Sequence, residues 1–327
     1  MTTATPTTAT PSTVTASKSD RTADAPEPVS PTPARTRARR ELGLNLFVVP
    51  ALLFFVSFSL IPLVGVVVLS FTTWDGISAI SFSGLTSWTA VLRDPMTYHA
   101  LGLTLLMMGL TWVVQTPLSL MLGTFVAGHQ RYRGVLAVIF FVPLLLSAAA
   151  VAIVFKSLMD PNFGLSAGLG LPILAQDWLG DPQLAFGVLI FVLTWQFVPF
   201  HTLIYQGGVR QIPASLYEAA SIDGAGRVKQ FFSITLPQLK YTIITSSTLM
   251  LLGSLTYFDL IFILTLGGPG NATRILALDM YLRGFKANQM GAASAIAVLL
   301  VFIGIGLALL IQRLGGRDRS ASQQEGL

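Results

Sequence analysis

Six long apolar runs constrain this chain more than any other feature. They lie at about Leu44–Phe71, Ala100–Ala127, Val135–Phe155, Pro182–Val209, Tyr241–Leu266 and Ala287–Gln312. A helix that crosses a bilayer needs about 20 mostly apolar residues, and every run is long enough. Asp259 is the one formal charge inside any of them. Lipid offers the backbone no hydrogen-bond partners, so the runs must be helices. The composition agrees, with 53% of the 327 residues hydrophobic and only 11% charged. The expected fold class is therefore all-α integral membrane, with six transmembrane helices.

The polar segments between the runs are short enough for positive charge to orient the chain. With the N-terminus in the cytoplasm, 15 of the 20 Lys and Arg residues fall inside and 5 outside, the latter being Arg93, Lys156, Arg274, Arg283 and Lys286. The opposite orientation reverses the ratio. Both termini and the segment between the fourth and fifth runs are thus assigned to the cytoplasm. The net charge of +5 then follows from topology and from anionic lipid headgroups near Arg35, Arg37, Arg39 and Arg40, and requires no nucleic-acid partner.

Residues 1–40 are rich in Thr, Ala and Pro and carry almost no large apolar side chain. Such a segment cannot bury enough surface to offset its ordering entropy, and it reads as a disordered cytoplasmic tail. Residues 315–327 read as a shorter tail of the same kind, which leaves 41–314 as the membrane domain. The first apolar run starts too late and is too long for a cleavable signal. Cysteine is absent, which excludes a disulfide framework and thiolate metal ligands. His201 has no companion at metal-ligand spacing, and Asn271-Ala272-Thr273 matches a glycosylation sequon by composition alone.

The insert between the fourth and fifth runs, about 211–240, has its own pattern. Ser215-x-x-Glu218 reads as a capping box at the start of a short helix from about Leu216. Gly224 supplies the positive φ that ends it. A second amphipathic stretch passes through Phe231, Phe232 and Ile234, and Pro237 turns the chain toward the fifth run. The expected product is a helix-turn-helix at the membrane surface that presents the small residues Ala219 and Ala220.

The spacing within this insert is Glu218-Ala219-Ala220, three residues, Gly224, nine residues, Ile234, one residue, Leu236-Pro237. It resembles the EAA loop of binding-protein-dependent ABC importers. Gln211-Ile212-Pro213-Ala214-Ser215-Leu216-Tyr217 before it and Asp223-Gly224-Ala225 within it also match. From about Asn45 to Arg313 the chain is similar to permease subunits of carbohydrate-type ABC importers in the maltose-transporter-like family. Leu266-Gly267-Gly268-Pro269-Gly270-Asn271-Ala272-Thr273, followed by Tyr281 and Phe285, fits the sugar branch, as does Trp195 with Pro199. Lys240-Tyr241 departs from relatives that place a proline there.

The resemblance implies a MetI-like ABC importer permease architecture. It implies that Glu218, Ala219, Ala220, Asp223 and Gly224 dock on a separate ATPase, with Glu218 as the polar contact and Gly224 as the turn. The implied partners are a second homologous permease, two ABC ATPase subunits and an extracytoplasmic solute-binding protein, within membrane lipid. No cofactor is expected in this chain, because ATP and Mg would be bound by the ATPase. No Gly-x4-Gly-Lys-Ser/Thr sequence occurs, and Gly267-Gly268-Pro269-Gly270 lacks the phosphate-binding lysine. No catalytic residue and no metal ligand is expected.

A translocation path needs polar groups facing inward at membrane depth. Ser247, Met250, Ser254 and Tyr257 share one face of an ideal helix, and Trp195, Gln196, Phe200 and Thr202 lie on the fourth run. Hydroxyls, an amide and aromatic faces suit a neutral sugar. The same residues could instead bond helix to helix. Asp259 reads as a cap or interface partner, or else as a gate. No Lys or Arg lies in any run, which favours a neutral solute. Other cargo for the same importer class, such as glycerol phosphate or a polyamine, remains open. An ion-coupled secondary carrier would need several buried acids and an internal repeat, and a membrane enzyme would need an acid–base cluster at membrane depth.

Overall fold

A computed structural model describes residues 48–128, 131–170 and 175–314. The tails expected at 1–40 and 315–327 lie outside these residues. The chain divides into two units, Met1–Phe58 and Ser59–Leu327, with the division falling inside the first apolar run. The described part of the first unit is helical from Val48 and has no buried residue. Phe54 and Phe58 lie in contact along it, with ring centroids 4.6 Å apart and planes tilted by 31°.

Among the described residues, four helices are long and apolar enough to cross a membrane: Val48–Leu69, Pro95–Val126, Pro182–Arg210 and Met290–Arg313. Two of them start in the same way. Asp94 accepts a hydrogen bond from the Met96 N–H and Asp181 accepts from the Gln183 and Leu184 N–H groups, each at 2.9 Å, and each Asp is followed by proline. An acidic N-cap occupies the free backbone donors, and proline at the first helical position has none to leave unpaired.

The third and fifth expected runs are interrupted. The third forms two helices, Arg131–Leu145 and Ala148–Leu158. The segments Gly134–Leu145 and Ala148–Leu158 meet at 96°. Ser147 has extended backbone and caps the second helix by accepting from the Ala150 N–H at 3.2 Å. If the bent pair counts as one passage, the described chain has five candidate spans. The fifth run splits into Lys240–Ser254 and Asp259–Leu264. Thr256 ends the first piece by donating from backbone and hydroxyl to the Gly253 carbonyl. Hydropathy sums cannot register either break, because the breaks change chain direction without adding charge.

The packing is polar inside and apolar outside. On Pro95–Val126 the buried face carries Thr97, Thr104, Thr111, Gln115 and Ser119, whereas Leu106, Val113 and Met121 are exposed. An aqueous protein would reverse this, but a helix surrounded by lipid tails gains nothing by hiding Leu and must pair its polar groups inward. Thr104 donates to the Ala100 carbonyl at 2.7 Å and accepts from the Leu276 N–H at 2.9 Å, and Trp112 Nε1 donates to Ser247 Oγ at 2.9 Å. Pro95–Val126 packs most extensively against Pro182–Arg210. Gly123 permits this approach: a Cβ there would lie 2.7 Å from Tyr205 Cβ. The main core joins Met107, Val151, Phe155, Leu189, Leu193, Ile261, Leu264 and Leu278, so the pieces that follow the two breaks, Ala148–Leu158 and Asp259–Leu264, are anchored together.

Candidate functional site

Two regions bear on function. The first is the polar insert. Its leading helix is Ala214–Ile222, with Pro213 at the N-cap and no side-chain cap. The capping box expected from Ser215 and Glu218 is therefore not formed. The helix begins one residue before Ser215, and the rigid φ of Pro213 sets its entry. No residue of this helix is buried. Glu218, Ala219, Asp223 and Gly224 are exposed and Ala220 is half-buried.

Asp223 follows the helix and Gly224 has φ +75°, the left-handed conformation glycine adopts without steric cost. The Ala225 N–H returns to the Ala220 carbonyl at 2.8 Å. A second helical stretch, 227–238, contains a π-helical turn at Phe231–Thr235. Gln230 ties the two halves together by donating to Ser221 Oγ and to the Ala225 carbonyl, both at 3.0 Å. Tyr217 and Thr235 share a hydroxyl bond of 2.9 Å. The outward side retains large apolar residues: Ile222 is 88% exposed, Val228 72% and Phe232 60%.

The second region is a cavity of about 410 Å3 at the two breaks. Leu144 and Ala148 border the first break, and Gly253, Thr256, Tyr257, Phe258 and Asp259 lie at the second; Phe197, Phe200, His201 and Leu249 are also on the wall. Tyr257 stacks on Phe197 with centroids 4.8 Å apart, and His201 Nδ1 bonds Ser246 Oγ at 2.9 Å. Asp259 begins the short helix, is exposed and does not cap it.

Of the residues proposed from sequence for a path, Phe200 and Tyr257 line this cavity. Ser247 and Ser254 share the buried face that the spacing required, together with Met250. Tyr257 lies beyond the end of that helix, in the break. Ser247 accepts from Trp112, and Ser254 donates back to the Met250 carbonyl at 2.8 Å. Gln196 is buried and donates to the Leu146 carbonyl at 3.4 Å, a group that the break at 146–147 frees. Trp195 meets Phe155 edge-on at 5.2 Å and lines a separate, more apolar groove of about 770 Å3 with Leu118, Phe140 and Phe191. Phe197 and Thr256 join the cavity without having been singled out from sequence. A helical count through a continuous fifth segment could not bring Thr256 beside Phe197.

A third feature escaped the sequence reading altogether. Asp279 is fully buried, accepts from Arg274 at 2.6 Å on one oxygen and from Arg283 at 2.9 Å on the other. Arg283 also donates to Asp94 at 2.6 Å and to Thr97 at 3.2 Å. The Asp279–Arg283 spacing of four was the available signal. Among the described residues no group of three or more His, Asp or Glu could hold a metal ion.

Residues 115–318 match the family described as binding-protein-dependent transport system inner membrane component. The chain belongs to this family. It is thus a multi-pass membrane permease of the ABC type, a transport subunit that works with a binding protein and with an ATPase carried on a separate chain. A probable ABC transporter permease protein, YurN of Bacillus subtilis, is 35% identical over 81% of this permease and 93% of its own length. The multiple sugar-binding transport system permease protein MsmF of Streptococcus mutans is 34% identical over 83% and 93%, respectively. The same fold occurs in a bacterial ABC transporter involved in import of the acidic polysaccharide alginate, with TM-score 0.75 and 20% identity over 88% of this permease and 99% of that chain.

Proposed function

We propose that this permease moves a neutral sugar or oligosaccharide into the cell across a bacterial plasma membrane, from an extracytoplasmic binding protein and at the expense of ATP hydrolysed by two partner ATPases. It does so beside a second, homologous permease, as a heterodimer. The chain makes six passages, with the bent third and the interrupted fifth runs each counted as one, and keeps both termini in the cytoplasm. The relatives named for sugar or arabinooligosaccharide transport support the cargo. The absence of Lys and Arg from the apolar runs supports its neutrality.

One observation carries the coupling mechanism. The insert is closed on itself by Gln230 and by the Tyr217–Thr235 bond, yet Ile222, Val228 and Phe232 face outward. A segment that is internally rigid and externally apolar is suited to transmit a partner's motion. The ATPases grip Glu218, Ala219, Ala220, Asp223 and Gly224, and their ATP-driven closure swings the insert as one body. Differential binding of the two states then switches the permease from inward- to outward-facing. The path runs past the cavity lined by Phe200 and Tyr257. Ser247, Gln196 and Trp195 hold the surrounding helices at the spacing that keeps it open, and Ser254 keeps the buried face of its own helix small.

Two variants test this. Glu218→Ala removes an exposed contact, and Gly224→Asp forces a charged side chain into a left-handed turn, at a local cost of about 1–2 kcal/mol. Both should insert normally, lose labelled-sugar uptake by roughly tenfold or more, equivalent to about 1.4 kcal/mol of lost coupling, and copurify less with the ATPase. Normal uptake together with normal copurification in both would overturn the coupling role.

A further inference from the structure

Asp259 and Asp279 are chemically identical and treated in opposite ways. Asp279 has both oxygens engaged by arginines. Asp259 makes no hydrogen bond or ion pair to any described residue, although it lies in the fifth apolar run and is exposed. A carboxylate facing lipid at that depth is costly, so its surroundings must be aqueous or polar. What it lines is the cavity of about 410 Å3. The walls there combine ring faces, Phe197, Phe200, Tyr257 and Phe258, with the hydroxyl of Thr256. Neither Lys nor Arg is among the described residues of that wall.

We propose that Asp259 is the charge filter of this cavity, admitting neutral and amino-bearing saccharides and repelling those that carry uronate, sulfate or phosphate groups. Ring faces cover the C–H surfaces of a sugar, and the carboxylate accepts from its hydroxyls or from an ammonium group. An anionic substituent meets this negative charge with no Lys or Arg among the described wall residues to offset it. Even in a solvent-filled cavity a unit charge acts on another a few ångströms away. The proposal rests on the reading that the cavity lies on the path.

The test reads the charge field at the cavity itself, so that selection by the binding protein does not enter. The chain contains no cysteine, so Thr256→Cys places a single thiol in the cavity wall. The complete importer, with binding protein and ATPases, is assembled in proteoliposomes. It is treated with cationic trimethylammonium-ethyl, anionic sulfonatoethyl or uncharged methanethiosulfonate, and modification of this subunit is followed by mass. A nearby carboxylate lowers thiolate content for all three reagents alike, so the cation-to-anion rate ratio isolates the field. The ratio should exceed that of a free thiol by roughly tenfold. Adding Asp259→Asn should return it to the free-thiol value, and Asp259→Lys should invert it. The rate with the uncharged reagent should follow only the change in thiolate content, which reports an intact cavity.

Labelling that responds to ATP turnover, but with a ratio unmoved by either Asp259 change, overturns the charge filter and leaves the path reading standing. A thiol that no reagent reaches under turnover overturns the path reading and the filter with it.

Discussion

The surface insert at 211–238 and the cap at 271–286 are both short, broken helical segments between long apolar helices, and they handle their polar groups in opposite ways. In the cap, Arg274, Arg283, Asp94 and Asp279 satisfy one another, with Asp279 wholly buried. Phe258, Phe262 and Tyr281 pack ring against ring beneath them, with Tyr281 centroids 5.1 and 5.0 Å from the two phenylalanines. In the insert, no residue of the leading helix is buried, and Ile222 at its end, with Val228 and Phe232 beyond it, is exposed. A closed network fixes the relative position of two helices. An open apolar face contributes nothing to the isolated subunit and becomes useful when a partner covers it. The difference separates what holds this permease together from what it offers to others.

The contrast is broken most severely at Asp279. Asp279→Ala leaves Arg274 and Arg283, whose side chains are 21% and 11% exposed, without their shared counter-charge. Removing one partner of a buried pair costs about 3–5 kcal/mol. Thermal unfolding in detergent should show a large fall in Tm or loss of folded protein. An unchanged Tm would mean that the network is ornamental.

The insert should give the inverse result. Ile222→Ser combined with Val228→Ser should leave the unfolding temperature of the isolated subunit within the ~0.5 kcal/mol expected of surface changes. Affinity for the ATPase subunit should fall by roughly a hundredfold, since each of the two aliphatic side chains that a partner buries contributes about 1.5 kcal/mol or more and every 1.4 kcal/mol is tenfold. Titration of the purified ATPase against the variant decides this, and equal affinity would remove the apolar face from the docking surface.

A smaller effect is expected at Gln230→Ala, which deletes the two bonds that Gln230 makes across the insert and leaves the Tyr217–Thr235 bond in place. The loss should be about 1 kcal/mol of local stability, visible as faster amide hydrogen exchange at 214–230 with the cap unaffected. Transport should then fall without loss of ATPase binding, because a lever that bends transmits less.

The smallest effect concerns acid. Asp94 is held below its ordinary value of 3.8, first by its bond from the Met96 N–H and then by Arg283. A depressed carboxylate contributes stability that is present above its unfolded-state value and is lost as pH falls through the folded one. Unfolding temperature should therefore decline below about pH 4 more steeply in the parent than in Asp94→Asn, which has already lost the charge. Parallel acid profiles would assign the acid loss to other groups.

How much was legible beforehand varied with the kind of residue. The long helices could be read because hydropathy over about 20 residues is a strong signal. The insert's turn was readable at Gly224, since few residues other than glycine take φ +75° without strain. The cap on its first helix was misjudged, because a box motif and a proline competed for the same start and the proline lies nearer to it. Ser247 and Ser254 shared a face as the spacing required, but that face is buried: Ser254 is 0% exposed. A bulky residue there would wedge the helices apart, so Leu249, exposed on the cavity wall, is the better place from which to block the path.

The sequence alone determined that this is a multi-pass helical protein with a turn-rich polar insert, because bilayer thickness and the steric needs of glycine and proline act on local residues. Tertiary structure decided where the helices break and what the breaks bring together. Leu146, Thr256 and Asp279 acquire their significance from residues 50, 59 and 185 positions away, namely Gln196, Phe197 and Asp94. Ordering such distant groups depends on packing shared by the whole helix bundle, which no local pattern in the chain encodes.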